Sequence, residues 1–144
     1  MSARLGTPTE ANRATAAVVA VTNPTGNAGI LALPTPQWCL LVSLQFIWVA
    51  SATVGNRTIS VLVKDSANNP LWQTTPATAL VAATTLNGYV GGAVPLSNNA
   101  GPPITFYSPI PFEFPIPPGV VVEVIDTAAI STGDTCAINA VIVS

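Results

Sequence analysis

The stretch WCLLVSLQFIWVAS, residues 38–51, decides the fold. Read at a period of two, Leu40, Val42, Leu44, Phe46 and Trp48 share one face, while Leu41, Ser43, Gln45, Ile47 and Val49 share the other. Successive side chains of a β-strand point to opposite sides, so this spacing predicts a strand with the first set toward a core. The second set is mixed rather than polar. A sheet with one side in water shows a cleaner alternation, so this second face is expected to be covered as well.

Outward from this strand the same pattern continues in shorter pieces. Residues 58–64 alternate Ile59, Val61 and Val63 with Ser60, Leu62 and Lys64. A turn at 65–70 leads to 71–73, and the two pieces read as an antiparallel pair. Further strands are predicted at 14–22, 30–33, 77–89, 120–126 and 135–143. Alanine makes a helix the competing reading of 14–22, but Val18-Val19-Ala20-Val21 and the Asn23-Pro24 stop favour a strand. Residues 1–14 lack periodicity and read as an extended N-terminal arm. Residues 102–118 hold seven of the fourteen prolines together with Phe106, Tyr107, Phe112 and Phe114. Proline cannot donate to a ladder, so this segment is expected as an edge strand or arm. About eight short strands, many turns and no convincing helix predict one all-β domain over 15–144. The expected fold is a β-sandwich of the jelly-roll kind.

Composition narrows the function. Charged residues are 7% of the chain and hydrophobic residues 49%, against about 25% charged in an average soluble protein. The longest apolar run, 38–50, carries Ser43 and Gln45 and is shorter than the roughly 20 residues a spanning helix needs. A barrel of about eight spanning strands usually needs more chain and strands not interrupted by proline, so no membrane role is expected. Residues 14–21 make a poor secretory signal. Arg4, Arg13, Arg57 and Lys64 are the only bases. They do not cluster, which removes the footprint of phosphate-backbone binding, and no nucleic-acid partner is expected. So few charges cannot solvate a large apolar surface, and homo-oligomerisation or other partners are expected to cover part of it.

The chain contains no histidine. That removes the usual general base near neutral pH and the commonest ligand of zinc, copper and iron. Glu113 and Glu123 fall in neighbouring predicted strands, but Glu123 reads as a solvated or rim residue. Asp65 and Asp134 read as turn residues bonding their own backbone. No catalytic residue, cofactor or metal site is expected. Cys39 and Cys136 sit in apolar strands and read as buried free thiols, with a single bridge between them left open because spacing does not decide it. Trp38 and Trp72 lie at strand ends and suit an interface. With Tyr89 and Tyr107 they also suit the sugar platform of a carbohydrate-binding sandwich.

Residues 46–65, FIWVASATVGNRTISVLVKD, together with FEFPIPPG at 112–119 and Gly133-Asp134, resemble small virion proteins of tailed phages. The likeness runs from 46 to 143 and carries no catalytic residue. It implies a β-sandwich or jelly-roll component of the particle, with capsid decoration (cement) the leading role. Such proteins are similar in being small, often trimeric, and equipped with arms that clamp neighbouring shell subunits. The expected partners are therefore further copies of the chain and the major capsid protein or other virion proteins. The expected location is the virion, at the capsid surface. A tail or fibre component is the alternative. The interface candidates are Arg4, Leu5 and Arg13 in the arm, Trp38 and Trp72 at strand ends, and Phe106, Tyr107, Phe112 and Phe114 in the proline-rich segment.

Overall fold

A computed structural model describes residues 14–22, 28–31, 38–92, 97–99, 103–110, 114–130 and 132–143. They form eleven strands: β1 (Ala14–Thr22), β2 (Ala28–Ile30), β3 (Cys39–Val49), β4 (Ile59–Lys64), β5 (Pro70–Thr74), β6 (Thr85–Gly91), β7 (Ser97–Asn99), β8 (Ile104–Pro109), β9 (Phe114–Ile116), β10 (Val121–Asp126) and β11 (Thr135–Val143). Two sheets pack into a sandwich. The larger has seven strands in the order β1-β11-β3-β6-β8-β7, with β9 also paired to β3; the smaller has the order β2-β10-β4-β5. The all-β sandwich expected from the alternation is therefore present.

The core lies between the sheets. Leu44, Phe46 and Trp48 of β3, Ile138 and Ile142 of β11, and Phe106 of β8 meet Val61, Val63, Val122 and Val124 of the smaller sheet, all of them buried. Each large side chain removed from water contributes about 1.5–3 kcal/mol, so this layer is the main drive for stacking the sheets. Cys39 and Cys136 are buried as free thiols within it. Loss of solvent pushes the Cys136 thiol up to about 12.

The structure alters three details of the sequence reading. The alternation of β3 breaks in its first half: β11 pairs Val141 with Ser43 but Ile142 with Leu41, so Val42 is an extra residue in a bulge. The bulge reverses the faces beyond it. Leu41 and Cys39 are buried, Leu40 is half-buried, and Val42 points out. The expected strand at 77–89 is confined to β6, because Leu80 instead pairs its backbone with Arg57 in an isolated bridge. The proline-rich segment supplies β8 and β9 to the larger sheet, and β8 lies between β6 and β7 instead of at an edge. Its prolines sit where a missing N–H is tolerated: Pro109 ends β8, and Pro115 lies in β9, for which β3 is the one strand partner among the described residues. The hairpin of β4 and β5 forms as expected. Its turn is held by Asp65, which accepts bonds from the backbone N–H of Ala67 and Asn69.

Candidate interaction surface

Two groups of polar side chains belong to the larger sheet, one at its loop end and one across its outer face. At the loop end Asp134 is fully buried. Its Oδ2 accepts from Trp48 Nε1 at 2.9 Å and Arg57 Nε at 3.0 Å, and its Oδ1 from Ser51 N at 2.8 Å and Arg57 Nη2 at 3.0 Å. Arg57, also fully buried, donates its remaining N–H groups to Thr53 O, Gly55 O and Ser51 Oγ. Burial alone would raise the Asp134 pKa. The Arg57 guanidinium and the bonds from Ser51 and Trp48 outweigh it and hold the carboxyl below the ordinary range. Beside this cluster Asp126 accepts from the backbone N–H of Thr58, Ala128 and Ile130. These acids tie the 51–58 loop to the 126–134 segment. Every carboxylate oxygen here is engaged by the fold, which leaves the cluster a structural role.

Asp134 is therefore no simple turn aspartate: it is the counter-ion of Arg57, 77 residues away in the chain. The sequence signal for the pair was the isolation of Arg57 between apolar strands in a chain almost without charge. Glu123 also departs from expectation. It is buried rather than solvated, because Lys64 on the neighbouring strand lies across it as an ion pair. Glu113 lies outside the described residues.

Across the outer face the register builds rows. One row runs Val18, Asn139, Gln45, Tyr89 and Tyr107 through β1, β11, β3, β6 and β8. The next runs Ala137, Ile47, Asn87 and Thr105. Val141 and Ser43 begin a third, and Thr135, Val49 and Thr85 a fourth. Its apolar members are open: Val18 is 70% exposed, Ile47 48%, Val49 41%, Tyr107 42% and Val141 38%, beside the exposed Gln45 and Asn139.

An open depression of about 510 Å³ lies between the second and first rows, lined by Gln45, Ile47, Asn87, Tyr89, Thr105 and Tyr107. Two glycines shape it. A Cβ on Gly88 would lie 2.0 Å from the Phe46 ring, so only glycine lets that ring close the core from beneath. A Cβ on Gly91 would lie 2.8 Å from the Tyr89 ring, which instead lies along the strand. The Tyr89 and Tyr107 rings are 6.3 Å apart and tilted by 50°, within the range of favourable aromatic pairs. The side chains of Gln45, Asn87, Asn139 and Thr105 make no hydrogen bond to another described residue.

Of the interface candidates, Tyr107 belongs to this face. Trp38 is 66% exposed just before β3. Trp72 is half-buried on β5 of the smaller sheet, packed against the core, and so lies off this face. Phe106 is fully buried. It pairs with Gly88 and points inward, because neighbours in a strand face opposite ways and Tyr107 points out. Phe114 pairs with Leu41 through β9. Arg4, Leu5, Arg13 and Phe112 lie outside the described residues, as does the arm except for Ala14, which begins β1. Sequence reasoning noted the mixed second face of β3 but not Asn87, Thr105 or Asn139, whose place beside it depends on strand register.

Comparison with protein-family models, with curated proteins and with solved structures found no match for this chain.

Proposed function

We propose that this chain is a structural protein of a virus particle, most specifically a capsid decoration (cement) protein, which acts by packing its surfaces against other proteins. The observation that carries this reading is the outer face of the larger sheet. It is broad, carries exposed apolar side chains beside neutral amides, and is free of charge among the described residues. Exposed apolar surface of this kind marks sites of protein association. The described carboxylates are held by the fold, which supports a role in packing over one in catalysis.

The strand order supports a jelly roll. With β7 to β9 treated as an insertion, the remaining eight strands pair first with last and so inward: β1 with β11, β2 with β10, β3 with β6 and β4 with β5. All four pairs are antiparallel. That is the pairing of one long hairpin wrapped into two sheets, an architecture common in viral shells. The likeness of residues 46–65 to phage virion proteins points the same way.

The test is immunogold electron microscopy on purified particles of the source virus, with an antibody raised against the recombinant protein. Label distributed over the head surface supports decoration. Label confined to the tail replaces it with the tail or fibre role. Absence of label, together with absence of the chain's peptides from the particle mass spectrum, overturns a virion role.

A further inference from the structure

The chemistry of the outer face selects what covers it. All six charged residues of the described chain, Arg57, Lys64, Asp65, Glu123, Asp126 and Asp134, lie off this face, so a charged partner finds no counter-charge there among the described residues. Its polar side chains are neutral amides and hydroxyls, and each carries both a donor and an acceptor. A surface of that kind is complementary to itself. Rotated copies bring no like charges together, and each amide or hydroxyl can meet its own kind. Val18, Ile47, Val49 and Val141 flank the polar row and supply apolar area to bury.

The size also fits. Five strands about 4.8 Å apart, each presenting about seven residues at about 3.3 Å, span a plane on the order of 500 Å². Side-chain relief makes the accessible area larger, which brings it toward the about 800 Å² per partner of a standard interface.

We infer that a second copy of this chain packs on the outer face of the larger sheet, so that the working unit is an oligomer joined sheet to sheet through Ile47, Val141 and the row from Asn139 to Tyr107. The inference rests on reading this face as a packing surface and names its occupant. The shell then meets other parts of the molecule.

The experiment is light scattering on the full chain over a range of micromolar concentrations, with two variants. The wild type is expected at the mass of two or more whole copies of the 14.7 kDa chain. Ile47→Asp places a carboxylate at the centre of the face without touching the core, and should weaken association about 100-fold or more. Gln73→Asp, on exposed β5 of the other sheet, should leave the oligomer intact. Circular dichroism melts establish that both variants fold. Should Ile47→Asp not fold, Tyr107→Ala replaces it, with the same expectation at about 10-fold or more. A monomeric wild type, or an oligomer that survives the face substitutions, overturns the inference. So does a monomer that binds a neutral glycan and loses it in Tyr107→Ala, which would give the depression to a sugar. A monomer that still labels virus heads removes this inference and keeps the virion role; an oligomer absent from particles does the reverse.

Discussion

The polar cluster at the loop end and the polar row across the outer face have nearly opposite bonding. Arg57, Asp134, Trp48 and Ser51 satisfy one another inside the protein. The side chains of Gln45, Asn87 and Asn139 bond to no other described residue. A buried polar group must find its partner within the chain or destabilise it, whereas a surface amide can take its partner from water or from another molecule. The difference separates side chains that hold the fold from side chains left for contact. It also predicts how each group responds to substitution.

The largest effect is expected at Asp134. Asp134→Ala leaves the Arg57 guanidinium buried without its counter-ion and the Trp48 N–H without its acceptor, a loss of about 3–5 kcal/mol. Urea unfolding measures it, and a loss under about 1 kcal/mol would break the comparison. Acid provides a second view. The folded carboxyl titrates below the usual range, so its contribution is full above the unfolded value of about 3.9 and is lost as pH falls through the lower folded value. Asp65 is also held low, chiefly by the Asn69 side-chain amide, and titrates in the same sense. The wild type minus Asp134→Asn difference therefore isolates the buried group, and it should shrink only below about pH 4.

Gly88→Ala tests the boundary between the two regions. The added Cβ meets the Phe46 ring at 2.0 Å, and overpacking of this kind costs about 1–3 kcal/mol. Phe46→Leu in the same chain should recover part of that loss, since the two positions couple directly. An additive double variant would show that the sheet relaxes elsewhere, and would weaken the view that the core side of this strand is rigid.

Much of this arrangement was readable in the residues, and the misses share a cause. Leu44, Phe46 and Trp48 face the core as their spacing required, and the β4–β5 hairpin follows from local turn chemistry at Asp65. Leu41 and Val42 exchanged faces because the bulge is set by which β11 residue stands opposite. Phe106 grouped with Tyr107 on composition, and only pairing with Gly88 assigns it inward. The Arg57–Asp134 bond joins distant segments that no local pattern links. Period and turn signals report local geometry, while these features depend on contacts far apart in the chain. The outer face was legible in part, as the apolar Ile47 and Val49 opposite the core set, but its amide row is assembled from several strands.

Asp126→Ala ranks next. It removes the acceptor of three backbone N–H groups, from Thr58, Ala128 and Ile130. Those groups stand in a partly exposed loop where water replaces some of the lost bonding, so about 1–2 kcal/mol is expected. Hydrogen exchange should accelerate at these three amides before any change in the core strands. Simultaneous acceleration across β3 and β11 would mean that the loop end and the core unfold as one unit.

The smallest effect is expected at Gln45→Ala, and it sharpens the comparison most. The Gln45 side chain is exposed and bonds to nothing else described, so the isolated subunit should lose no more than about 0.5 kcal/mol. Association complicates the measurement, because anything that binds the folded form alone stabilises it in proportion to the logarithm of concentration. The two contributions separate by dilution. At the lowest concentrations the wild type and Gln45→Ala curves should coincide within that 0.5 kcal/mol. As concentration rises, the wild type midpoint should climb more steeply than that of the variant. Parallel curves displaced by more than about 1 kcal/mol would mean that Gln45 stabilises the subunit itself, and the outward row would then belong with Asp134 among the groups that hold the fold.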